Sequence, residues 1–165
     1  MPTTIAPAPT RAAADVISLF TTVYTNRGVD TWRTGWSANN NELTDPFAVA
    51  GRNIKKYSLF NFVGVEYGIA TPANAVDGTT MTHFHVDLWS PNPPANVEIQ
   101  LVNDAAGTAA IGKYQSGQLG TGSWISLDIP LASFTGLSAK NKLNQLLFVA
   151  SGPTVLYVDN IYFHK

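Results

Sequence analysis

Four tryptophans stand in a chain of 165 residues that has no cysteine. Two of them, Trp32 and Trp36, lie four residues apart in the polar stretch Val29-Asp30-Thr31-Trp32-Arg33-Thr34-Gly35-Trp36-Ser37. A third, Trp89, ends an alternating run just before Ser90-Pro91-Asn92-Pro93-Pro94. Large rings beside turn residues are expected to reach the surface. There they stack on an apolar ligand face while polar neighbours fix its orientation. A pyranose ring has such a face, made of C–H groups. By analogy with aromatic pairs one stack adds ~0.5–1.5 kcal/mol beyond area burial, so several platforms are needed. Trp32, Trp36 and Trp89 are the expected platforms. Trp124, between Gly122-Ser123 and an apolar run, is expected to be a packing ring.

A second constellation lies on the run Met81–Trp89. His83, His85 and Asp87 recur at a spacing of two, so they share one side of a strand. Glu98 and Gln100 are expected to extend that polar row from the next strand. With Arg33 they supply the expected polar contacts: Arg33, His85, Asp87 and Gln100. The two histidines also have the i, i+2 spacing of some zinc sites, a pattern that needs a third ligand. Asp159 sits among apolar residues near the chain end, and a buried carboxylate needs a partner. Calcium is one such partner, with Asp15 as a second ligand. A turn cap or a lysine is the other. Glycoside hydrolysis requires two carboxylates at a set separation. Glu42, Asp45, Glu66, Asp87 and Glu98 are joined by no motif, and no nucleophile elbow, phosphate loop or His-Glu-x-x-His occurs. The expectation is a binding domain and not an enzyme.

Charged residues make up only 13% of the chain and the formal net charge is −1, which argues against nucleic acid and strongly anionic polymers. A neutral, hydroxyl-rich partner suits this surface. No apolar run approaches the ~20 residues of a membrane span. Residues 1–13, rich in proline and threonine, read as an extended linker, and residues 14–165 as one domain.

The elements that must position these residues are strands. Val16 to Phe20, Ile54 to Tyr67, Met81 to Trp89, Val97 to Leu101, Ser123 to Ile129, Leu146 to Ala150 and Val155 to Phe163 are β-branched, aromatic or alternating. Turn residues separate them, as at Asp77-Gly78, Gly120-Thr121-Gly122 and Ser151-Gly152-Pro153. Gly64 reads as a bulge or bend, and short helical turns are expected near 130–134 and 138–143. The pattern predicts an all-β chain, an antiparallel β-sandwich of jelly-roll type.

Several segments together resemble a known group. These are Ala14-Asp15-Val16-Ile17-Ser18-Leu19-Phe20, Asp30-Thr31-Trp32 with Gly35-Trp36, Lys55-Lys56-Tyr57-Ser58, Met81 to Trp89, Gly122-Ser123-Trp124, and Tyr157-Val158-Asp159-Asn160-Ile161-Tyr162-Phe163. The chain is similar to the non-catalytic carbohydrate-binding modules of secreted bacterial polysaccharidases, of the galactose-binding-like β-sandwich type attached to laminarinases, other β-glucanases and marine polysaccharide lyases. The resemblance implies a secreted, monomeric module that binds a polysaccharide, a neutral β-glucan above others. It also implies a covalently linked catalytic domain. A structural calcium follows from the same resemblance, with Asp159 as carboxylate ligand, a carbonyl near Lys56 and a side chain near Asp15. Thr21-Thr22 stands where related chains carry an acid or amide, a departure that bears on the metal. The competing expectation is a structural or adhesion sandwich whose aromatics face another domain, with a polysaccharide-cleaving enzyme behind it.

Overall fold

The computed structural model describes residues 1–38 and 40–165. Eight strands carry the fold: β1 Val16–Phe20, β2 Glu42–Val49, β3 Arg52–Glu66, β4 His83–Trp89, β5 Val97–Asn103, β6 Ala110–Gln115, β7 Ile125–Pro130 and β8 Leu143–His164. Every strand pairing is antiparallel. No helix is long and apolar enough to cross a membrane among the described residues.

Two long strands, β3 and β8, run through both layers of a sandwich. In layer A, β2 pairs with the first half of β3, which pairs with the second half of β8, followed by β4 and β7. The strand β1 joins β8 at 161–164. In layer B, the second half of β3 pairs with the first half of β8, followed by β5 and β6. Alternation drives the packing. Phe84, Val86 and Leu88 of β4 and Val97, Ile99 and Leu101 of β5 are completely buried between the layers, with Val63, Val65, Phe148 and Phe163. Full burial of each such side chain contributes about 1.5–3 kcal/mol.

Most expected strands are present, with instructive differences. The two final runs form one strand, because Ser151-Gly152-Pro153 is a bulge and not a turn. Phe60 pairs with Thr154 and Phe62 with Val149, so residues 150–153 oppose only Asn61 on β3, and 151–153 are the extra residues because Ala150 still pairs with Val97 of β5. Proline is tolerated where no ladder hydrogen bond is required. Two strands escape the pattern. In β2, Pro46 sits inside the register shift between Thr44 and Phe47, on an exposed edge. In β6, Gly112 interrupts the alternation, since a β-carbon there would stand 2.5 Å from Cβ of Leu137. Gly64 is not a bulge: the shifts in β3 fall earlier, between Tyr57 and Phe62. A 3-10 turn forms at Leu131–Ser133, whereas 138–143 is not helical.

Residues 1–13 do not stand free as the linker reading expects. Pro2 and Ala6 are buried against the outer face of layer A. Three side chains of the domain hold the backbone of this segment. Trp124 Nε1 donates to the Thr4 carbonyl at 2.8 Å, Asn160 Nδ2 to that of Pro7 at 2.9 Å, and the Tyr24 hydroxyl to that of Arg11 at 2.8 Å.

Candidate functional site

The segment 30–38 is stitched along the edge of β3. The Asp30 carboxylate accepts three backbone N–H groups, from Gly68, Ile69 and Ala70. Burial pushes this carboxyl up, but those bonds outweigh it and hold it below the ordinary value. Thr31 bridges Glu66, and Thr34 N–H donates to the Gly64 carbonyl at 3.0 Å. The Gly64 N–H in turn donates to Ser37 Oγ at 3.0 Å. Arg33 is spent inside this segment: Nε donates to the Asn41 carbonyl at 2.7 Å and Nη2 to that of Ala38 at 3.2 Å. Arg33 therefore braces the loop, where a direct ligand contact was expected.

The loop delivers Trp36, which is 47% exposed. Its ring lies on the bare backbone of Gly64 and leans on Phe62, with centroids 5.7 Å apart. Gly64 faces outward, because Val63 and Val65 on either side point into the core. One row therefore crosses the outer face of layer B in register: Gly64, Leu147, Gln100, Lys113. At ~4.8 Å per strand the row spans roughly 14 Å. Phe62 and Val149 lie in the row beside it, with Glu98 and Gln115. Glu66 and Gln145 pair on its other side, where Gln145 Nε2 donates to Glu66 at 3.0 Å. Glu98 accepts from both Gln100 and Gln115. Burial raises the Glu98 carboxyl, but these bonds and the charge of Lys113 outweigh it and lower the value. The result is an apolar floor edged with amides, the carboxylates of Glu66 and Glu98 and the ammonium of Lys113, with one indole platform at its end.

The structure thus brings Trp36 and Gln100 to one face and separates them from the other expected residues. Trp32 is half-buried, edge-on to Phe20 at 5.7 Å, with Lys55 Nζ 3.9 Å from its ring centroid. Lys55 is itself buried and bonds Asp45 at 2.7 Å. Trp32 is a packing ring held by this ammonium. Trp89 is only 8% exposed and belongs to a satellite core with Val49, Ile54 and Tyr157. It lies on the outer face of layer A, which the N-terminal segment roofs over. Trp124 packs on that cluster as expected, and keeps part of its ring open.

His85 and Asp87 share the outer face of layer A as the alternation requires, but β5 does not continue their row, since β5 pairs with β8 and β6. His85 stacks on Tyr162 at 4.5 Å and stands 3.3 Å from Asp128. Asp87 is 1% exposed, accepting from Ser126 and from Asn160 Nδ2. Asp87 is sealed and structural in this setting, whereas His85 still lines a surface cleft with Pro7, Arg11, Ser126 and Asp128, on the face opposite Trp36 and Gln100.

Asp159 faces a cation already. Arg52 Nη2 donates to Asp159 Oδ1 at 3.2 Å, and Arg52 Nε stands 3.1 Å from Oδ2, a charge contact without hydrogen-bond alignment. The residues expected to hold calcium do not converge. Asp15 lies past the C-terminal end of β8 beside Lys165, at 3.9 Å, and shares no partner with Asp159. No group of three or more His, Asp, Glu or Cys side chains among the described residues could hold a metal. The guanidinium of Arg52 is the partner that Asp159 has in this structure.

The residues missed from sequence are Phe62, Gln145 and Leu147, while Glu98 was expected in a polar row with His85 and Asp87 and lies on the other layer. Glu98 and Gln100 carried a usable signal in their alternation on β5. The others could be placed only by knowing which strands are neighbours.

No family model matches the chain, and no curated protein matches it. Solved structures do. The family 30 carbohydrate-binding module of the cellulosomal cellulase Cel9D-Cel44B of Clostridium thermocellum is 10% identical, with a TM-score of 0.64 over 91% of this chain and 97% of that one. The family 11 module from the same organism, in complex with a β-1,3-1,4-mixed-linked tetrasaccharide, is 13% identical, with a TM-score of 0.58 over 91% and 95%. The N-terminal modules of its endo-1,4-β-D-xylanase 10B, a family 22 module joined to a catalytic module and complexed with xylohexaose, are 14% identical, with a TM-score of 0.53 over 83% of this chain and 28% of that one. The chain has the antiparallel β-sandwich fold that these carbohydrate-binding modules share.

Proposed function

We propose that the chain is a non-catalytic polysaccharide-binding module whose ligand lies across the outer face of layer B. The observation that carries this reading is the Trp36 indole, fixed on Gly64 and open to solvent at one end of an amide-edged apolar floor. The indole takes the C–H face of a pyranose ring. Gln100, Gln145 and Glu98 meet its hydroxyls. A neutral β-glucan suits a face of this kind; the fold neighbour in complex with a mixed-linked tetrasaccharide supports that class, and the one with xylohexaose supports a neutral β-linked glycan more broadly. A non-catalytic role is supported by the paired residues Asp87 and Asp159, which are sealed and engaged with Arg52, Asn160 and Ser126.

In the same reading the module is secreted and tethered to a glycan-cleaving domain. Such a tether raises the enzyme's local concentration of substrate without any new contact. Affinity electrophoresis against mixed-linked β-glucan, laminarin, xylan and alginate tests the proposal. Retardation by a β-glucan is expected, with a loss of about tenfold in Trp36→Ala and a smaller loss in Gln100→Ala. Free migration through every polymer rejects polysaccharide binding. Retardation unchanged in Trp36→Ala rejects this face.

A further inference from the structure

The outer face of layer A holds a cavity of about 470 Å³ that the reading above does not use. Thr3, Thr4 and Pro7 of the N-terminal segment wall one side, and Trp89, Ser123 and Trp124 the other. Its size falls within the roughly 300–1,000 Å³ of small-ligand clefts. No charged side chain lines it among the described residues.

The Trp124 ring is oriented in advance. Its Nε1–H is bonded to the Thr4 carbonyl, and the ring packs on the Val49, Ile54, Trp89 and Tyr157 cluster. A pre-positioned platform loses little freedom on binding. Gly122, with φ of +67°, has open space where its side chain would be. Thr3, Thr4 and Ser123, each bearing a hydroxyl, line the same cavity. An indole beside small hydroxyl-bearing residues, in a cleft lined by uncharged side chains, suits a neutral pyranose unit.

We propose that this cavity is a second saccharide site, completed by the N-terminal segment; the ligand class rests on the glycan reading of the Trp36 face. Trp36 serves the outer face of layer B and Trp124 that of layer A. With platforms on opposite faces of the sandwich, one molecule bridges two polymer chains. The N-terminal segment acts as a wall of the site and not as a spacer.

Titration with cellohexaose and laminarihexaose, followed by the tryptophan Nε1–H resonances, separates the two sites. Trp32, half-buried against Phe20 and Lys55 and outside both sites, serves as the internal reference. Shifts at both Trp36 and Trp124 are expected, the latter persisting in Trp36→Ala. A shift at Trp36 alone overturns the second site and leaves the first. A shift at Trp124 alone overturns the first and keeps the second. No shift at either overturns both. Light scattering of soluble mixed-linked β-glucan checks bridging. Wild type is expected to enlarge the particles, while Trp124→Phe, which keeps a packed ring but lacks the N–H, still binds and enlarges them at least fivefold less. Enlargement by Trp124→Ala equal to that of wild type, in a variant folded by its melting curve, overturns the proposal.

Discussion

Trp36 and Gly64 are fitted to each other: a β-carbon built on Gly64 stands 2.0 Å from Cη2 of the Trp36 ring. No side chain fits beneath the indole, so the glycine is required by close approach and not by its backbone angles. Gly64→Ala is therefore expected to displace the ring while leaving the core residues Val63 and Val65 in place. Loss of one stack at the upper end, ~1.5 kcal/mol, corresponds to about a tenfold weaker glycan affinity. Tryptophan fluorescence should report the displaced ring. Unchanged affinity in a folded Gly64→Ala protein would show that Trp36 is not a ligand platform.

The same pair shows where sequence reading stops. Gly64 interrupts an aromatic run, and local reasoning reads such a glycine as a bend. Its cause lies 28 positions away in a loop, and loop placement leaves no periodic trace. The layered β architecture was legible because Phe84, Val86 and Leu88 alternate with His83, His85 and Asp87, a pattern only a half-buried strand satisfies. The face was not. Trp89 alternates onto the outer surface as expected, yet residues 1–13 and a satellite cluster cover that surface. Alternation tells which side a residue occupies, and not what lies over it. Arg52 likewise gives no local sign that it faces Asp159, because the contact joins positions 107 residues apart.

That contact supports a prediction about stability. Arg52, Asp87 and Asp159 are buried together, one guanidinium among two carboxyls, with Asn160 between them accepting from Arg52 at 2.5 Å. Removing one partner of a buried pair leaves charge without compensation and costs about 3–5 kcal/mol. Arg52→Met is expected to fall in that range by urea denaturation. Asp159→Asn should cost less than half as much, because Arg52 then faces Asp87 and the Asn160 carbonyl oxygen in a neutral group. If Asp159→Asn proves the more damaging change, the carboxylate has a partner other than Arg52, and a metal site at Asp159 regains standing.

The pH dependence of stability gives an independent check on the same cluster. Burial pushes the Asp159 carboxyl up to about 6, against the opposing pull of Arg52, and the nearby Asp87 adds to the rise. Lys55 lies close enough to pull in the same direction as Arg52. An ordinary carboxyl in the unfolded chain releases its proton near pH 4. Between about pH 4 and 6 the native state therefore holds a proton that the unfolded state has lost, and stability falls as pH rises through that window. A rise from the ordinary value to about 6 corresponds to about 3 kcal/mol at full effect. Asp159→Asn has no such proton, so its stability relative to wild type should improve steadily from pH 4 to about 6.5 and then level off. Paired urea melts of the two proteins across pH 4–7 measure this difference directly, since every other carboxyl is common to both. A difference that stays flat across the window would mean that Asp159 is already ionised at pH 4, held by a stronger positive environment than Arg52 alone provides.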